Sequence, residues 1–200
     1  MRTASVGLGP DKSADVDRHV ARWLTVSAVS TDFRTLLLLR HAKSGYPADV
    51  GDHERPLAQR GIREAALAGD WLRVHAPAVD AVLCSTATRT RETLQRTLVT
   101  APVQFSDRLY DATPGTVIDE INGVPERFDH EVRTLLVIGH EPVMSRLALG
   151  LADADGSDPH ALEEVAAKYP TSAIAELRTA QPWAALTLGG AALVRFHVPR

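Results

Sequence analysis

The 200-residue chain has one cysteine, Cys84. It therefore forms no intrachain disulfide, and a zinc site built from several cysteines is excluded. That usage makes the cytoplasm the expected location. No long hydrophobic run is present: the start, "MRTASVGLGPDKSADVDRHV", has no continuous apolar core of the signal-peptide kind. "WLTVSAVS" is too short and too polar to span a bilayer. Charge of one sign is also missing. The net charge is −3, so nothing in the overall balance points to nucleic acid or an anionic membrane as a partner. No Gly-x-Gly-x-x-Gly or P-loop pattern follows any apolar run, which argues against a nucleotide-binding protein. No solenoid-type repeat occurs.

What remains is an ordinary globular composition, with 44% hydrophobic and 24% charged residues. A chain of this length buries roughly 70% of its unfolded surface and suits one domain with tails. Residues 1–33 mix Gly, Ser, Asp and Pro with a weakly amphipathic stretch around residues 18–29. They read as an N-terminal extension with one helix, preceding a domain over residues 34–200.

From Thr35 the pattern becomes regular. "TLLLL" is an apolar run of the kind buried on both faces of a sheet. A polar loop follows over Lys43–Arg60. Ile62, Ala65, Ala66, Gly69 and Leu72 then mark a helical face from Gly61. "DAVLCS" reads as a second strand and Thr88–Leu98 as a helix with Thr93, Leu94 and Thr97 inside. "PVQFS" reads as a third strand and Thr116–Asn122 as a helix closed by Gly123. "TLLVIGH", Thr134–His140, repeats the apolar strand ending in histidine, and "PVMSRLALGLA" is a helix with Pro142 at its first turn. Asp153–Pro159 reads as a polar loop. "SAIAELR" and "AALVRFHV" are two more strands, joined through "QPWAALTLGG" as a turn region. Strands alternating with helices predict an α/β fold, a three-layer sandwich on a mostly parallel central sheet.

In such sheets ligands gather beyond the carboxyl ends of the strands. Three predicted strand ends carry unusual groups there: Arg40 and His41, Ser85 followed by Arg89, and His140. A phosphoryl group wants this set. Arginine forks match phosphate oxygens and stay charged. Histidine attacks phosphorus through a ring nitrogen. Phosphoryl transfer depends on positioning and on stabilising charge at the equatorial oxygens. The constellation supplies both with no metal or cofactor.

The segments "LLRHAKS", "CSTATRTRET" and "VIGHEP" resemble the histidine phosphatase superfamily, also called phosphoglycerate mutase-like, from Thr35 to the C-terminus. The family's Arg-His after the first strand is matched by Arg40-His41. Its Ser-x-x-x-Arg-x-x-x-Thr pattern is matched by Ser85, Arg89 and Thr93, and its later Gly-His by Gly139-His140. Within it, "RPLAQRGIREA", the lack of long insertions and the C-terminal segment are similar to the small SixA-like phosphohistidine phosphatases. The resemblance implies that His41 accepts the phosphoryl group and that Arg40, Arg89 and His140 bind its oxygens. Arg55 is a further contact. Where the wider family places a carboxylic acid after the third strand, this chain reads "RLYDATPGTVIDE". Asp111 is the nearest carboxylate to that slot and Glu120 the second choice. A phosphohistidine P–N bond needs such an acid less than a phosphate ester does.

Other polar residues receive plainer readings. Ser44 is read as a loop hydrogen-bonder or substrate contact, and Lys43 as added charge at the mouth. Arg91 and Arg96 are solvated helix residues. His53 is a solvated loop residue with no helical His-x-x-x-His partner. His19, His75, His130, His160 and His197 are surface or structural. Cys84 is a core residue, because position 90, where the cysteine phosphatase signature needs arginine, is Thr90. Trp71 and Trp183 are packing residues. The expected protein is a phosphatase acting through a covalent phosphohistidine intermediate on a phosphorylated protein or small phosphorylated substrate. Its rivals are an enzyme of small phosphate esters and a phosphate-binding module without turnover. The sequence leaves the oligomeric state open.

Overall fold

A computed structural model describes residues 33–200. The expected N-terminal helix lies outside the described residues. Six strands form one sheet: β1 (Arg34–Arg40), β2 (Ala81–Ser85), β3 (Val103–Ser106), β4 (Thr134–Gly139), β5 (Ile174–Thr179) and β6 (Ala192–His197), in the order β3-β2-β4-β1-β5-β6. The first four in that order run parallel, and β5 and β6 continue the sheet antiparallel.

The run of leucines explains the centre of the sheet. Leu36 to Leu39 are all buried, and side chains alternate between the two faces of a strand. Leu36 and Leu38 join one core with Leu83, Leu135 and Val137. Leu37 and Leu39 join a second core with Val82, Leu136 and Ile138. A strand apolar at every position must be covered on both sides. The first face is covered by α3 (Pro114–Asn122), α5 (Val143–Leu151) and α6 (Pro159–Ala167) through Ile121, Leu147 and Val165. The second is covered by α1 (Gln59–His75) and α2 (Thr88–Thr97) through Ala68, Leu72 and Leu94. These are the three expected layers. Helices α1 and α2 meet closely at Gly69, where a Cβ would sit 2.3 Å from the Thr97 carbonyl oxygen.

Several local expectations change. On α1 Ala65, Gly69 and Leu72 are buried as expected, but the inward face also carries Glu64 and Ala68, whereas Ala66 is exposed and Ile62 half-buried. The stretch after the Asp153–Pro159 loop forms helix α6. Asp158 caps it by accepting a hydrogen bond from the Ala161 N–H at 2.8 Å, with Pro159 as first helical residue. Val124–Arg127 forms the short α4. Pro142 sits one place outside α5 rather than in its first turn. Part of the expected turn region, Trp183–Ala185, is a 3-10 turn. Among the described residues no helix is long and apolar enough to cross a membrane.

Candidate active site

The register of the sheet places the site. Arg40 pairs with Gly139, the last residues of β1 and β4, so His41 and His140 leave the sheet side by side. The His41 N–H donates to the Gly139 carbonyl at 3.0 Å. Their rings lie with centroids 5.2 Å apart. Strand β2 flanks β4 on the other side and ends at Ser85, whose Oγ is 2.9 Å from His140 Nε2.

The Ser85, Arg89 and Thr93 spacing acquires a physical reason here. Residues four apart lie on one face of a helix. Arg89 and Thr93 of α2 both face inward and are buried. Thr93 Oγ1 accepts the Ala42 N–H at 2.9 Å and donates to the Arg89 carbonyl at 2.6 Å. The threonine thus fixes the backbone next to His41 against the turn that carries Arg89.

His41 is 8% exposed. Its Nδ1 lies 2.7 Å from the Ala42 carbonyl oxygen. A carbonyl only accepts, so in the neutral ring Nδ1 holds the hydrogen and Nε2 keeps the lone pair. Burial pushes the His41 pKa down to about 4, helped by Arg89, Arg40 and Arg55. Burial likewise pushes His140 down to about 3, with His41 and Arg89 contributing. Both rings are neutral at pH 7.

Around them lies a cleft of about 290 Å³ lined by Arg40, His41, Ser44, Arg55, Arg89 and His140, with Asp111 at its wall. Arg40, His41, Ser44, Arg55, Arg89, Asp111 and His140 are therefore brought together, and Lys43 lines the same cleft. Ser44 pairs as a β-bridge with Leu57 and so holds the loop shut behind the cleft. Glu120 is not part of it. That carboxylate is buried beneath Arg108 and Arg127, each at 2.7 Å, which hold it below the usual carboxylate range. It is a structural ion pair.

The arginines are partly occupied by a residue that the sequence did not single out. Asp52 accepts from Arg89 Nη2 at 3.0 Å and from Arg55 Nη2 at 2.7 Å, while its own carbonyl accepts from Arg89 Nη1 at 2.6 Å. The Tyr110 hydroxyl donates to the same carboxylate at 2.6 Å. That hydroxyl bond, with the two guanidiniums, holds Asp52 below the usual carboxylate range. Arg40 Nη1 donates to the Tyr169 carbonyl at 2.6 Å. Among the described residues, five buried nitrogens nevertheless have no hydrogen-bond partner: Nε of Arg40 and of Arg89, Nε and Nη1 of Arg55, and Nδ1 of His140. Buried donors are nearly always satisfied in folded proteins. Four unsatisfied guanidinium donors around one cleft make a cradle for an oxyanion. Among the described residues, no group of three or more His, Cys, Asp or Glu is placed to hold a metal ion.

Asp52 sits in a loop without periodicity, so no pattern in the sequence reports where it points. Tyr110 had a usable signal, because it follows β3, a fourth parallel strand whose carboxyl end faces the same rim. His53 differs from the solvated reading. Its Nε2 lies 3.1 Å from Thr86 Oγ1 and its ring packs edge-on against Tyr110. Cys84 is fully buried in the second core, and burial pushes its thiol up to about 12.

The fold and this strand-end site define a class. The sequence profile of the histidine phosphatase superfamily (branch 1) matches residues 36–174, and the chain belongs to that superfamily. An uncharacterised protein of Mycobacterium tuberculosis H37Rv is 59% identical over 162 residues, which cover 81% of this chain and 100% of that protein. A chain from Nakamurella multipartitia, provisionally named phosphohistidine phosphatase SixA, has a solved structure that matches with a TM-score of 0.75 and 39% identity. The match covers 84% of this chain and 96% of that one. A similarly named SixA chain from Agrobacterium tumefaciens matches with a TM-score of 0.67 and 25% identity, over 83% and 99% of the two chains.

Proposed function

We propose that the protein is a metal-independent phosphatase that hydrolyses protein phosphohistidine through a covalent intermediate on His41. The observation that carries this reading is the neutral, buried His41 with its lone pair on Nε2, set among unsatisfied guanidinium nitrogens. In the first step His41 Nε2 bonds to phosphorus. The P–N bond to the substrate histidine breaks, its electron pair returns to that ring, and the ring takes a proton from solvent and leaves as imidazole. Arg40, Arg89, His140 and Arg55 meet the charge on the equatorial oxygens. Ser44 closes the loop behind them. In the second step water attacks phosphorus, inorganic phosphate leaves, and His41 is regenerated.

The carboxylates of the cleft favour an easily expelled leaving group. Asp52 is held ionised by its three partners, so it is a poor proton donor at neutral pH. Glu141 is spent on capping α5, accepting from the Ser145 N–H at 2.9 Å and from its hydroxyl at 2.8 Å. Asp111 is the carboxylate left over, and its place at the cleft wall is what supports the second reading, a phosphatase of small phosphate esters.

The test is phosphate release in EDTA by wild type and His41→Ala, from a phosphohistidine protein and from a phosphoserine peptide. Turnover of phosphohistidine alone, abolished in the variant, is the expected result. Equal turnover of phosphoserine selects the second reading. Binding of phosphate without turnover of either substrate rejects the enzyme.

A further inference from the structure

A second cleft, of about 440 Å³, opens beside the first, and Thr171 lines both. Among the described residues, its lining side chains include the cations Arg60, Arg63, Lys168 and Arg200, the last beside its own α-carboxylate, and one side-chain carboxylate, Glu64. Glu64 is already engaged. It accepts from Arg60 Nε at 2.5 Å and from the Thr171 hydroxyl at 3.1 Å. Arg63 and Lys168 are exposed and make no ion pair among the described residues. Such a cation excess is local, since the chain as a whole carries −3.

The placement of two of these charges runs against helix electrostatics. The positive end of a helix dipole favours acidic residues, by about 0.3–1 kcal/mol each. Helix α1 instead starts from Ala58, which offers no side-chain cap, has no acid in its first turn, and carries Arg60 there and Arg63 just after. Violations of local rules concentrate where function requires them. An anion lying in the cleft would relieve the conflict.

The rest of the lining selects the kind of anion. Leu67, Pro170, Val198 and Pro199 add apolar wall, and among the described residues no aromatic side chain lines the cleft. Bases of single-stranded nucleic acid want aromatic platforms. A polypeptide wants apolar wall for its side-chain stems and cations for its carboxylates. We propose that this cleft docks an acidic segment of the phosphorylated protein, presenting its phosphohistidine across Thr171 to His41. The inference rests on the protein-phosphohistidine reading above, which it deepens.

The test compares wild type with Arg63→Glu/Lys168→Glu on two substrates, phosphoimidazole and a phosphohistidine peptide flanked by glutamates. Exposed charge contacts are each worth under about 1 kcal/mol, so reversing two of them lowers the ratio of kcat/KM for peptide over phosphoimidazole about tenfold. The loss shrinks as salt is raised. An unchanged ratio overturns the proposal. Turnover of neither substrate by wild type would sink the phosphatase reading instead, and the cleft is then read separately. A fluorescent, unphosphorylated glutamate-rich peptide binds wild type in low salt and not the double variant. No binding, equal binding to both, or tighter binding of an oligonucleotide of equal charge overturns the acidic-segment assignment.

Discussion

The rings of His41 and His140 stand 5.2 Å apart at 54°, both buried and both ringed by arginine. Neither ring readily takes a second proton. A second positive charge at that distance is repelled, and burial removes the water that would stabilise it. Each ring therefore keeps its neutral form well below pH 6.5. Histidine NMR titration is expected to place both midpoints below about 5, against about 6.5 for an unperturbed ring. Midpoints near 6.5 would remove the basis for a neutral nucleophile.

The same shifts set a sign for stability. The folded pKa values, about 4 and about 3, lie below the unfolded value of 6.5, so the unfolded chain binds the protons first. Above pH 6.5 neither state is protonated at these rings; stability is lost as pH falls from there to about 4 for His41 and about 3 for His140. Urea midpoints are expected to drop between pH 7 and pH 5. The drop should be smaller in His140→Gln, which has no ring to protonate. An equal drop in both proteins would assign the loss to other groups.

Asp52 has two opposed effects on the site. Its negative charge repels a phosphoryl dianion, yet it also fixes Arg55 and Arg89 in place. Positioning wins where misplacement of a clamp is the greater penalty. Asp52→Ala keeps the Asp52 carbonyl that holds Arg89 Nη1, so the loss should be moderate. We expect kcat/KM on phosphohistidine to fall about tenfold, a typical cost for a loosened rather than deleted contact. An unchanged or raised value would mean that the carboxylate is only a counter-charge.

The sheet and the four central site residues were legible because each depends on something local. Leu36–Leu39 and Leu135–Ile138 announce strands buried on both faces, and Arg40, His41 and His140 follow them directly in the chain. Once β1 and β4 are neighbours, their ends must meet. Asp52 was not legible, because its position is set by the path of an irregular loop across α2. On α1 the expected Ile62 and Ala66 gave way to Glu64 and Ala68 for a related reason. Glu64 is buried through Thr171 and Arg60, partners that no periodicity reports. Helix α6 had a signal in Asp158-Pro159, and the turn residues before it masked that signal.

Glu120 is 1% exposed and bound by two arginines. Removing one partner of a buried pair leaves uncompensated charge and costs roughly 3–5 kcal/mol. Arg108 and Arg127 keep access to water, so Glu120→Ala is expected at the lower end, about 3 kcal/mol, read from urea unfolding. Residual folded protein at saturating substrate should keep its kcat. A loss of kcat without loss of stability would return Glu120 to the chemistry.

Asp111 decides between substrate classes. It lines the cleft wall in a left-handed backbone conformation, φ 50°. An alkoxide leaving group needs a proton in the transition state, and losing a general acid typically costs 10²–10⁴-fold. An imidazole leaving group accepts its proton more easily, so the same loss costs far less. For a phosphohistidine phosphatase, Asp111→Asn should change kcat/KM on phosphohistidine by less than about threefold, well inside that range. On a phosphate ester, any activity present in wild type should collapse. A large loss on phosphohistidine itself would make Asp111 the proton donor for the P–N bond, and the argument from an easily expelled leaving group would fall with it.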